Sequence, residues 1–204
     1  MVKLKKIFTD SSVISLLFSN ILIIILAIVQ RWEVATVLWT YWMQSVIIGF
    51  FNFLRILSLK NFSTKNFTIN NQPALPTPQT KIFTALFFAF HYGLFHFIYA
   101  VFLFNFFNSG QPLDLNYLSL GGLIFFLNHF FSYLHNKMTN KQKTQNIGQL
   151  IFSPYVRIVP MHLIVVFGAF MGQSALLTFL FLKTAVDISM HAVKHRAIRL
   201  QISA

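Results

Sequence analysis

Apolar runs of about 20 residues recur along this chain with short polar stretches between them, and this recurrence constrains the fold more than any single motif. A helix of that length rises about 30 Å, the thickness of a bilayer's hydrocarbon core. In lipid only helices and closed barrels satisfy their own backbone. With 56% hydrophobic residues, 26 Phe and 10% charged residues in 204, one soluble core could not hide the apolar surface. The predicted fold is all-α: a polytopic membrane helix bundle of six transmembrane helices in a single domain. The spans fall at approximately 11–30, 34–57, 82–107, 117–136, 154–171 and 174–192.

Local signals punctuate these runs. Lys3, Lys5 and Lys6 precede the first run in the manner of a signal peptide, but no small-residue cleavage pattern follows, so the run reads as an uncleaved helix. Arg31-Trp32-Glu33 forms a tight polar hinge, and Trp32, Trp39 and Tyr41 favour an interface near it. From Ser58 to Lys81 the chain is polar with three prolines between Gln72 and Gln79, a composition that reads as the longest loop. Ser153-Pro154 has the form of an N-cap followed by proline at the first helical position, which places the start of the fifth helix there. Glu33 and Asp114 read as loop and cap residues.

Six spans put alternate polar segments on alternate sides. Lys3, Lys5, Lys6, Arg55, Lys60, Lys65, Lys81, Lys137, Lys141, Lys143, Lys194, Arg196 and Arg199 then share one side, and Arg31 stands alone on the other. The positive-inside rule predicts both termini in the cytoplasm. The net charge of +12 is spread among these segments rather than gathered on one face, which excludes nucleic acid as a partner. The expected partners are the bilayer and anionic lipid headgroups at the cytoplasmic face. With no cysteine, disulfides, thiolate metal sites and cysteine nucleophiles are all excluded.

The costly residues are the polar ones inside the spans. Lys183, Asp187 and His191 lie at i, i+4 and i+8 on one face of the sixth helix, and an ionised group at a helix centre costs about 2.5–3.5 kcal/mol on insertion scales. They are expected to face the bundle. Helical rise places His91, His129, His162, Asp187 and His191, from four helices, in the middle or inner part of the membrane. Imidazoles with a carboxylate suit a divalent transition metal, and these five are the candidate metal ligands, with haem ranked below a bare metal. Arg157 and Lys183 are the candidate cofactor-binding residues. Pro160 between Arg157 and His162 frees the carbonyl of Val156. Asn128, Ser132 and Tyr133 of the fourth helix and Tyr41, Gln44, Asn52 and Arg55 of the second either line a water path or join helices, the second role being favoured.

The segments Tyr41-Trp-Met-Gln-Ser-Val-Ile-Ile-Gly49, Phe88-Ala-Phe-His-Tyr-Gly93, Pro154-Tyr-Val-Arg-Ile-Val-Pro-Met-His162 and Lys183-Thr-Ala-Val-Asp-Ile-Ser-Met-His191 come in this order. Together they resemble a family of small bacterial and archaeal membrane proteins, the domain of unknown function 6498. The resemblance implies a fold and a prokaryotic cell membrane rather than an activity. It also implies histidine at His91, His129, His162 and His191, arginine at Arg157, and the Lys183 and Asp187 pair, all kept here. The chain departs at Gln44, where the family pattern has glutamate, and at Tyr99, where it has histidine.

Three functions fit these residues: an intramembrane transition-metal site, a proton-coupled or small-solute transporter, and a non-catalytic membrane module whose polar residues fix helix packing. No nucleophile elbow, P-loop, dinucleotide fingerprint or zinc-protease motif is present, so the sequence assigns no enzyme class.

Overall fold

The computed structural model describes residues 11–32, 34–107, 113–139, 144–171, 184 and 186. These form five helices: α1 (Ser11–Val29), α2 (Val34–Leu57), α3 (Pro78–Phe107), α4 (Leu115–Thr139) and α5 (Ile147–Met171). Three of them, α2, α3 and α4, are long and apolar enough to cross a membrane, and α1 and α5 carry shorter apolar stretches. Apart from residues 184 and 186, the expected sixth span, 174–192, lies outside the described residues, as do Glu33, Lys183, Asp187 and His191.

The bundle buries several polar side chains while leaving many large apolar ones exposed. Asn20, Thr36, Thr40, Gln44 and His96 are buried, whereas Phe90 and Phe97 of α3 are 75% and 67% exposed. Only 17% of the apolar window of α4 is covered by protein, which leaves a surface that lipid would cover and water would not. Helix α2 is the hub, packed against α3, α4 and α5, with α1 laid on α4. Gly121 and Gly122 let α4 approach closely, because a Cβ at either would run into Thr40 or Met43 of α2.

Helix ends follow capping chemistry. At the end of α1, Trp32 N–H donates to Ala27 O at 2.8 Å and Arg31 N–H to Ile28 O at 3.3 Å, with Arg31 left-handed at φ 52°. This is a Schellman turn closed by a residue other than glycine. Asp114 caps α4, its Oδ1 accepting from the N–H groups of Asn116 at 2.9 Å and Tyr117 at 3.1 Å, as the sequence suggested. Trp32 stacks on Tyr117 at 5.2 Å beside it.

Three sequence expectations are corrected. Helix α5 begins at Ile147, not at Ser153-Pro154: Asn146 is the cap, accepting the Gln149 N–H on Oδ1 at 3.0 Å, and Pro154 lies inside the helix. The Thr-Pro signature is used instead at Thr77-Pro78, where Thr77 Oγ1 accepts the Thr80 N–H at 3.2 Å and α3 starts earlier than predicted. The 58–77 segment is also not a bare loop. Residues Thr68–Ile69 (β2) and Gln72–Pro73 (β3) form an antiparallel hairpin through Asn70 and Asn71, both left-handed, the two-residue turn that matches strand twist. Phe62–Ser63 (β1) pairs in parallel with Gln145–Asn146 (β4), tying the loop to the start of α5. These short pairings are the only departure from an all-α fold among the described residues.

Candidate functional site

An interior polar group in such a bundle must find a partner on another helix, and most here do so in one of two places. The first is the interface of α3 with α5. His91 Nδ1 is hydrogen-bonded to Tyr155 Oη at 2.8 Å, and Tyr99 Oη to His162 Nδ1 at 3.0 Å. The pairs are reciprocal: α3 supplies histidine then tyrosine, α5 tyrosine then histidine. Seven residues separate Tyr155 from His162, so the two rungs stand about 10 Å apart along α5. That spacing is too great for His91 and His162 to ligate one ion directly, given bonds of about 2.0–2.1 Å. Among the described residues no three His, Cys, Asp or Glu side chains gather into a metal-sized group. The Asp187 and His191 half of the proposed ligand set, and Lys183, lie outside the described residues.

Tyr92 and His96 extend this aromatic layer toward α2. Tyr92 Oη donates to Ser45 O at 3.0 Å, and its ring stacks on that of His96 at 4.3 Å. His96 Nδ1 is hydrogen-bonded to Tyr92 O at 2.8 Å, and its Nε2 is buried with no hydrogen-bond partner among the described residues. Trp42 Nε1–H donates to His96 O at 2.9 Å.

The second place is a cavity of about 460 Å3 at the end of the bundle that carries the 58–77 segment. Helix α2 lines it with Ile48, Phe51, Asn52 and Arg55, α4 with His129, Ser132, Tyr133, Asn136 and Lys137, and α5 with Ser153, Pro154 and Arg157. Ser58, Leu59, Lys60, Asn61 and Gln145 close the mouth. The volume falls in the range of small-molecule sites. Arg55, Lys60, Lys137 and Arg157 supply four cations, and no described lining residue is a carboxylate.

The walls are held by specific bonds. Arg55 donates Nε–H and Nη2–H to Gln145 Oε1 at 3.0 and 2.7 Å, which clamps α2 to β4. Lys81 Nζ donates to Leu59 O at 3.0 Å, and Asn146 Nδ2 to Lys65 O at 2.9 Å. Pro154 has no N–H for the carbonyl of Leu150, four residues back. Asn52 Nδ2 takes its place, donating to Leu150 O at 3.0 Å.

Of the sequence candidates, the cavity thus brings together His129 and Arg157, while His91 and His162 are engaged by tyrosines. Some second-helix and fourth-helix polar residues line the cavity, and others join helices away from it. Asn52, Arg55, Ser132 and Tyr133 line the cavity. Asn128 Nδ2 donates to Ser19 Oγ at 2.8 Å, and Gln44 Nε2 reaches Asn20 Oδ1 at 3.5 Å, both joining helices. Sequence reasoning missed Lys60, Lys137, Tyr155 and Gln145. The two lysines were visible only as charges that set orientation, and Tyr155 stood inside a quoted segment without a role.

No curated protein and no solved structure matches the chain. A family model does, over residues 3–203, nearly the full length. Its description, Family of unknown function (DUF6498), agrees with the resemblance carried by the four segments, and the chain belongs to that family.

Proposed function

We propose that this chain is a six-span membrane protein with both termini in the cytoplasm that binds an anionic ligand from the cytoplasmic side in the cavity between α2, α4 and α5. One observation carries the reading: four cationic side chains from two helices, a third helix and the mouth segment surround a single cavity whose described lining has no carboxylate. Cations gathered around one cavity repel one another and favour a ligand that supplies the missing charge. The same field opposes a bare divalent cation, which is why an anion is preferred here to the metal. The large exposed apolar surface of the bundle supports the membrane location, and the basic residues at the cavity mouth are among those that set the orientation. Anionic headgroups at the same face are compatible partners.

The absence of native cysteine makes the topology directly testable. Asn61→Cys should react with an impermeant maleimide only after the cells are opened, and Asn116→Cys in intact cells. The reverse pattern would overturn the orientation. For the ligand, phosphate or sulfate should raise the thermal midpoint of the detergent-purified protein, and the increase should vanish in Arg55→Gln/Arg157→Gln. A midpoint indifferent to every anion would refute the anion site.

A further inference from the structure

The cations of the cavity lie at different depths. Lys60 lies beyond the end of α2, Arg55 and Lys137 each stand two residues inside a helix end, and Arg157 lies ten residues into α5. At 1.5 Å per residue Arg157 is about 15 Å from the start of its helix, and His129 is as far from the end of α4. The positive groups therefore run from the mouth to a floor made by Arg157 and His129. Ile48 of α2 stands near the floor, Phe51 and Tyr133 lie midway with ring centroids 5.6 Å apart, and Leu59 is nearer the mouth, so apolar and aromatic surface accompanies the charge.

Three properties narrow the ligand class. A monovalent carboxylate would leave most of the positive charge uncompensated, whereas a phosphate monoester carries about −1.5 to −2 at neutral pH. The cation at the floor, Arg157, is an arginine, whose planar fork matches phosphate oxygens bidentately, whereas the Arg55 fork is held by Gln145. Finally, the apolar wall has no use for inorganic phosphate but suits an organic group attached to it.

Resting on the anion-site reading, we propose that the cavity binds a phosphate monoester. Its phosphate lies on the Arg157 and His129 floor and its organic group against Ile48 and Phe51. A lipid headgroup and a soluble ester share this chemistry, and the test separates them.

Thermal shift and competition binding in maltoside micelles would compare inorganic phosphate, glycerol 3-phosphate and dihexanoyl phosphatidic acid. At least one ester is expected to bind tenfold or more tightly than inorganic phosphate. Arg157→Gln should weaken that ester tenfold or more, and Arg157→Lys should recover only part of the loss. Ile48→Ser, at a half-buried position, should reduce the ester's advantage without changing inorganic phosphate. Should Arg157→Gln fail to fold, Lys60→Gln on the exposed mouth segment replaces it, with several-fold weaker binding expected. Preference for the phosphatidic acid identifies a lipid source, and equal or better binding of glycerol 3-phosphate a soluble one; both support the class. If inorganic phosphate binds as tightly as either ester in an Arg157-dependent way, the monoester proposal falls while the anion site stands. If none of the three binds, both fall.

Discussion

Asn52→Leu removes a donor that the structure uses to repair a helix. Pro154 deprives Leu150 O of its usual N–H partner, and Asn52 Nδ2 supplies one at 3.0 Å from the neighbouring helix. Leucine keeps the approximate volume but cannot donate. A half-buried carbonyl left without a partner costs about 1–3 kcal/mol, so Asn52→Leu is expected to destabilise the bundle by about 1–2 kcal/mol. The decisive measurement is a double-mutant cycle. In Pro154→Ala the N–H of residue 154 returns to Leu150 O, and Asn52→Leu in that background should cost about 0.5–1 kcal/mol, the net value of one ordinary hydrogen bond. Pro154→Ala alone should be neutral or stabilising. Reversible unfolding in mixed micelles with rising SDS, followed by far-ultraviolet circular dichroism, gives all four corners. Additivity within about 0.3 kcal/mol would mean that the two residues are not coupled, and the account of Asn52 would be wrong.

Arg31→Gly should raise stability by about 1 kcal/mol in the same assay, because Arg31 occupies a left-handed position at φ 52° that costs a residue with a Cβ about 1–2 kcal/mol. Asp114→Ala should lower it by about 1 kcal/mol through loss of the cap on α4, with Asp114→Asn retaining most of the cap. Gly49→Ala places a methyl group against the Tyr92 ring, and the resulting overpacking should cost about 1–3 kcal/mol and change the near-ultraviolet tyrosine signal. An unchanged signal with unchanged stability would show that α2 and α3 have slack at that point.

The parts of the fold readable in the sequence are those governed by local chemistry. The apolar run places the second span at 34–57 and the helix runs Val34–Leu57; Asp114 reads as a cap and caps α4. The start of α5 was misplaced because proline is a boundary by local rules, and only a side chain 102 positions earlier in the sequence, Asn52, makes Pro154 tolerable inside the helix. The 58–77 segment reads locally as bare loop for a similar reason. Its order comes from pairing with Gln145 and Asn146, which no local pattern announces, although Asn70-Asn71 was a legible turn signal. For the site, depth counting singled out His129 and Arg157, which line the cavity, together with His91 and His162, which do not. It could not tell those two from His91 and His162, because depth along a helix carries no information about which neighbour a side chain faces.

The pairing of Phe62 with Gln145 also sets a timetable. Between these residues the ribosome must make roughly eighty others, including all of α3 and α4, which at 5–20 residues per second takes about 4–16 s. For that interval Lys60 and Asn61 have no β4 strand beside them and the Arg55 guanidinium has no Gln145 to hold it. The mouth of the cavity is therefore finished only when α5 arrives, so ligand binding by a nascent chain would report that the later helices have entered and docked. A chain stalled before Ile147 would display Arg55, Lys60 and Lys137 but would still lack Arg157, the cation of the floor.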